Sequence, residues 1–261
     1  MGQLTNFFTK HDAVIETQPS AIRQLVLFVL GWAGLQAIAI TVSVTVRAIL
    51  SYIYTNPIEL ANALGHISYP ASINIISYVI LLVVLVMVAW DTLKKLLPSF
   101  IRLSVVFKGI GYGALILLAG IALNSLYLAF GIDLSDNANE SSITAIMRNY
   151  PFFSIIAFVI AGPICEEITY RLGLFGLLRH LNRYVAYAVT FLFFGLIHFD
   201  FDTTNMINEL LNLPFYIIAG LIFCYIYERE GLATSIYAHI TNNLVSFITS
   251  FLSIDLLARI I

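Results

Sequence analysis

Apolar residues in this chain fall into runs of roughly 20, the length a helix needs to cross the hydrocarbon core of a bilayer. That patterning settles the fold class before any motif is considered. Of 261 residues, 60% are hydrophobic and 11% charged, and the mean hydropathy is +0.91. A soluble domain carries about 25% charged residues. The sequence therefore predicts an all-α, polytopic transmembrane helix bundle, with residues 1–261 forming one integral, multi-pass membrane domain. No basic run is interleaved with aromatics, which argues against nucleic acid as a partner. The net charge of −2 says little, because topology divides the charges.

About seven spans are predicted: 24–46, 71–90, 109–130, 150–178, 184–199, 213–227 and 232–252. The first run is too long for the 7–15-residue apolar core of a signal peptide, so it reads as a span. Asp91, Lys94, Lys95 and Pro98 are expected to end the second, and Gly162-Pro163 to interrupt the long fourth. Lys10, Arg23, Lys94, Lys95, Arg102, Lys108, Arg179, Arg183 and Arg229 then share one side, which the positive-inside rule makes cytoplasmic. Residues 1–23 become a cytoplasmic N-terminal segment. Glu59, Asp133, Asp136, Glu140, Asp200, Asp202 and Glu209 lie opposite, with Arg47, Arg148 and Arg259 as basic exceptions. Cys165 and Cys224 fall inside spans and imply neither a disulfide framework nor a CxxC metal site. Gly109-x-x-x-Gly113 reads as a packing motif. No internal repeat of the transporter kind is visible.

The chemistry concentrates in residues 150–252. Ionisable groups at membrane depth are expensive and rarely idle. Glu167 and Arg171, four apart, share a helix face in the better orientation for an ion pair. Glu166 is rotated by about 100° and is left to face a cavity. A structural charge cluster locking helices together is the plain alternative. His198 follows Phe194 by four residues, and Asn243 follows His239 by four. Taken alone, each pair also reads as interhelical hydrogen bonding. His11, His66 and His180 lie in connectors and receive no role.

Together, EExxxR, FxxxH and HxxxN on three successive apolar segments resemble the CPBP family, the CAAX-type intramembrane proteases and the bacteriocin-processing or abortive-infection proteins. Pro163 ahead of the acids and Ala238-His239-x-x-Asn242-Asn243 at the end strengthen the likeness, which covers roughly residues 160–247. Leu172 stands where members often carry glycine, and Tyr170 where phenylalanine is common. The resemblance implies an endopeptidase of the bacterial cell membrane with a glutamate-type, metal-independent mechanism. Glu166 and His198 would activate a water, and His239 and Asn243 would stabilise the oxyanion. Glu167 and Arg171 would organise the site, and Phe194 would shape it. The implied substrate is a membrane-associated protein or peptide, prenylated or a bacteriocin or pheromone precursor. Two alternatives stay open. Glu166, His198 and His239 have the residue types for a zinc site with water in the fourth position. The chain also fits a non-proteolytic regulator or immunity protein that binds a partner. One difficulty remains within the sequence. By the predicted boundaries His198 and His239 lie near opposite ends of their spans, so a single site requires tilted, broken or shorter helices.

Overall fold

The computed structural model describes residues 18–258, with side chains to residue 251. Lys10, His11, Arg259 and the first 17 residues of the predicted cytoplasmic segment lie outside that range. The described residues form nine helices: α1 (Ala21–Ile53), α2 (Pro57–Gly65), α3 (Ser68–Phe100), α4 (Leu103–Ala129), α5 (Ala138–Asn149), α6 (Pro151–Arg179), α7 (Arg183–Leu196), α8 (Met206–Glu230) and α9 (Leu232–Ala258).

Local chemistry sets several of the boundaries. The Asn56 and Asn137 side chains accept the Ile58 and Glu140 N–H groups, at 2.9 and 2.8 Å, and start α2 and α5. Asn182 caps α7 by accepting from Tyr184 and Val185. Each satisfies an amide that a helix start leaves orphaned. Gly231 separates α8 from α9 at φ +89°, a conformation that only glycine adopts without strain.

Five helices, α1, α3, α4, α6 and α8, are long and apolar enough to cross a membrane. All seven predicted segments are helical, but their limits differ. The second was expected to stop at its charges. Instead α3 continues through Asp91, Lys94 and Lys95, because charges that have left the membrane favour water without breaking a helix, and Pro98 falls only in the last turn. The fifth was expected to reach 199, whereas α7 ends at Leu196 after 14 residues. Connectors expected to be irregular contain α2 and α5. Gly162-Pro163 does not break α6. A widened π turn over Ile155–Ala161 absorbs the proline, and a second π segment covers Glu167–Phe175.

Polar contacts define the two ends of the bundle. Asp91 pairs with Arg23 at 2.7 Å, His180 meets Gln24 at 3.0 Å, Arg179 and Arg183 grip Glu228, and Lys108 pairs with Glu230 at 2.6 Å. At the opposite end Asn208 and Asn212 donate to the Asp136 and Ser135 carbonyls, and Asn137 to that of His198. Charges predicted to share a side therefore meet at one end.

Helix α6 is the centre. In its most apolar stretch 61% of residues are buried, against 17–22% for α1, α3 and α4, whose outer faces present Ile40, Val83, Met87 and Leu118. Small residues allow the close approaches. Gly31 of α1 lies against Thr169 of α6, where an added methyl group would clash. Gly109 and Gly113 of α4 lie against Tyr237, Ala238 and Thr241 of α9, so the GxxxG motif is a packing face that seats the helix carrying His239.

Candidate active site

Glu167 is the most heavily bonded carboxylate at the centre of the bundle. It is fully buried and forms the expected pair with Arg171, also fully buried, at 3.2 Å. Its other partners come from α9. Ser235 Oγ donates to Oε2 at 2.5 Å, and His239 Nδ1 lies 2.9 Å from Oε1. A carboxylate can only accept, so His239 carries a proton on Nδ1.

Arg171 explains Phe194. The guanidinium lies over the Phe194 ring at 4.3 Å and over the Phe223 ring at 4.9 Å. It also donates to the Gly220 carbonyl at 3.4 Å. Aromatic faces attract a desolvated guanidinium, so the two rings stabilise a charge that water no longer reaches. Phe223 in turn stacks on His239, with centroids 4.3 Å apart.

Glu166 points elsewhere, as a 100° offset requires. Its side chain is 17% exposed, and its buried Oε2 has no hydrogen-bond partner. The nearest ring nitrogen is His239 Nε2, at 3.7 Å. Glu166 lines a cavity of about 750 Å³ together with His198, His239, Asn243 and Phe194. The three motifs therefore meet in one space, each with at least one side chain on its wall.

The short α7 resolves the difficulty over depth. His198 is not within a span but in the turn directly after α7. Fourteen residues at 1.5 Å each carry the chain about 21 Å, short of the ~30 Å hydrocarbon thickness. Its Nδ1 lies 2.8 Å from the Phe194 carbonyl and must donate there, which leaves Nε2 as an acceptor. The ring stacks on Tyr216 at 4.5 Å, and Asn137 donates to the His198 carbonyl at 3.2 Å while accepting from the Tyr216 hydroxyl. Glu209 fixes the same corner by accepting from the Ala138 and Asp200 amides.

Asn243 donates from Nδ2 to the Phe158 carbonyl at 3.0 Å and accepts from Asn242 at 3.2 Å. One Nδ2 hydrogen remains for the cavity. Among the described residues, no three His, Cys, Asp or Glu side chains are grouped so as to hold a metal ion. Glu166, His198 and His239 share a wall of the cavity.

Ser235, Tyr216, Asn137 and Phe223 went unassigned in the motif reading. Ser235 has a signal of the same kind as its neighbours, since 235, 239 and 243 are spaced by four. The other three act through contacts between helices and leave no mark in local spacing. Cys165 is buried, and it is not among the residues that line the cavity.

Comparison with known proteins agrees with the geometry. Residues 148–245 match the family model described as type II CAAX prenyl endopeptidase Rce1-like. Over 176 residues, 65% of this chain and 68% of the other, the chain is 28% identical to YdiL of Bacillus subtilis (strain 168), provisionally named a membrane peptidase. No solved structure matches. The family match contains all three motifs, which meet in one cavity, so the chain is a multi-pass membrane protein similar over those residues to the Rce1-like CAAX prenyl endopeptidases.

Proposed function

We propose that the protein is an intramembrane glutamate-type endopeptidase, hydrolysing a peptide bond of a membrane-associated protein or peptide precursor. The observation that carries this reading is the unpartnered Glu166 Oε2 on the wall of a cavity shared with His198, His239 and Asn243. A carboxylate with nothing to hold is poised to take a proton, whereas its neighbour Glu167 is saturated with donors.

In this mechanism a water sits between Glu166 and His198. Glu166 takes its proton as general base, and Nε2 of His198 accepts its second hydrogen as a hydrogen bond. The resulting hydroxide attacks the peptide carbonyl carbon. The free Nδ2 hydrogen of Asn243 donates to the oxygen as it gains charge. Donation from His239 requires a proton on Nε2, since Nδ1–H is committed to Glu167. The buried Glu167 charge is the group that balances that second proton. Collapse of the tetrahedral intermediate breaks the C–N bond, and Glu166 returns its proton to the leaving amine. The catalytic groups of this scheme are Glu166, His198, His239 and Asn243. No step calls for a metal, so a chelator is expected to leave purified activity intact; loss on chelation with recovery on adding zinc would refute that part.

The seven-span topology with a cytoplasmic amino terminus belongs to the same proposal. It agrees with the meeting of Arg23, Arg179, Arg183, Lys108 and their partners at one end of the bundle.

The test compares membrane and secreted peptides from cells making equal amounts of the native protein or Glu166→Gln. A precursor that accumulates only in the mutant, with its product only in the native strain, is the expected result. Identical peptide pools together with an intact cellular phenotype would overturn proteolysis in favour of a regulator or immunity protein acting by binding.

A further inference from the structure

We infer that Pro163 is a positioning residue for Asn243, through the Phe158 carbonyl that the proline leaves free. The inference rests on the role proposed above for Asn243 as an oxyanion donor. In the widened turn of α6 the Gly162 N–H bonds to the Ala157 carbonyl, a step of five residues. The same step assigns residue 163 to the carbonyl of Phe158. Proline has no N–H to offer, so that oxygen receives no backbone partner from position 163. A buried carbonyl left unpaired is costly, and the chain supplies a partner from another helix. Asn243 Nδ2 of α9 donates to it at 3.0 Å.

The consequence is a fixed amide. Asn242 Nδ2 donates to Asn243 Oδ1 at 3.2 Å, and the Phe158 carbonyl takes one Nδ2 hydrogen. With the oxygen and one hydrogen held, rotation about the terminal bond is blocked and the second hydrogen keeps one direction. Asn243, Phe158 and Gly162 all line the cavity, so that direction lies at its wall. Pro163 has an ordinary reading as a residue tolerated where a helix widens. The pairing of its missing donor with the one carbonyl that an α9 side chain occupies is what that reading leaves unexplained.

Pro163→Ala separates the two. Alanine is the better helix former and restores a donor, so the variant is expected to fold at least as well as the native protein. The new N–H competes for the Phe158 carbonyl and releases Asn243. Two measurements follow, each repeated on Pro163→Gly, which restores the same donor. In full-length protein carrying ¹⁵N-asparagine in detergent micelles, the Asn243 side-chain amide is identified by its disappearance in Asn243→Asp. Its hydrogen exchange should be slow in the native protein and faster in Pro163→Ala. Cleavage of the precursor that Glu166→Gln leaves uncut should fall about ten- to a hundredfold in kcat, as for a displaced catalytic group. In an Asn243→Ala background the same proline change should cost less than twofold. Unchanged amide exchange overturns the inference, and so does native activity with a released amide. If no precursor exists, proteolysis has failed as a reading, and amide exchange alone decides whether Pro163 positions Asn243.

Discussion

Two carboxylates in this molecule each gather three partner side chains, yet they sit in different surroundings. Glu167 holds Arg171, Ser235 and His239 at the centre of the bundle, and both members of its ion pair are fully buried. Glu228 holds Arg179, Arg183 and Tyr187 at the end of α8, where the side chains are 11–35% exposed. The donors are of similar kinds; the solvent is not. At the bundle end water screens each charge and can replace a lost partner. At the centre no replacement exists, so the cluster becomes all or nothing. A further difference follows. The Glu228 cluster adjoins no residue of the three motifs, whereas the residue before Glu167 has a carboxylate oxygen with no hydrogen-bond partner beside a cavity. The bonded acid holds the helices, and its neighbour is left facing the cavity.

The largest expected effect divides those two neighbours. Glu166→Gln should lower cleavage by about 10²–10⁴-fold, the usual share of a general base. Its unfolding midpoint should match the native protein, because the substitution preserves volume and removes no hydrogen bond. A midpoint that drops with the activity would make Glu166 a structural residue like Glu167. Next comes the pair of arginines. Arg171→Ala leaves Glu167 buried without its cation and vacates the space between the Phe194 and Phe223 rings, at a cost of about 3–5 kcal/mol. Arg183→Ala at the other cluster leaves Arg179 and Tyr187 on Glu228 and should cost about 1 kcal/mol, less at high salt. Denaturation of both variants in the same detergent measures the contrast, and equal losses would abolish it.

The same contrast marks what can be read from sequence. The Glu167–Arg171 pair and the separate heading of Glu166 were legible, because both depend only on the pitch of one helix. The spacing of Phe194 and His198 was legible too, but its meaning changed. The spacing does not make two faces of a continuing span. It lets a histidine beyond the last turn bond back to a helical carbonyl. The end of α7 was missed because apolar residues continue to Phe199 while the chain turns, and hydropathy does not distinguish the two. The corner that holds this turn, built from Asn137, Glu209 and Tyr216, joins residues far apart in sequence. The continuity of α6 through Gly162-Pro163 was hidden for a similar reason, since a π turn depends on the partners its carbonyls find across the bundle. For the Glu228 cluster, the basic residues were assigned correctly to one side, but the acid that gathers them was not singled out.

The smallest effect is expected at the mouth of the cavity, where Glu140 lies in the first turn of α5. Surrounding protein, and secondly the charge of Asp136, push its carboxyl pKa up from the usual value. The folded state therefore holds the proton more tightly than the unfolded chain, whose carboxyl titrates near 4.3. The stability this provides is complete below the unfolded value and is lost as pH rises through the folded one. Glu140→Gln removes that loss. It should match the native protein at pH 4 and exceed it at pH 7.5 by a few tenths of a kcal/mol, a small figure because the side chain is exposed and screened. The helix dipole acts in the opposite sense, since an anion in a first turn is favourable. Unfolding midpoints at the two pH values decide between them. A variant weaker than native at pH 7.5 would mean that the dipole outweighs crowding, and that the cavity mouth, like the Glu228 cluster, behaves as a solvated surface.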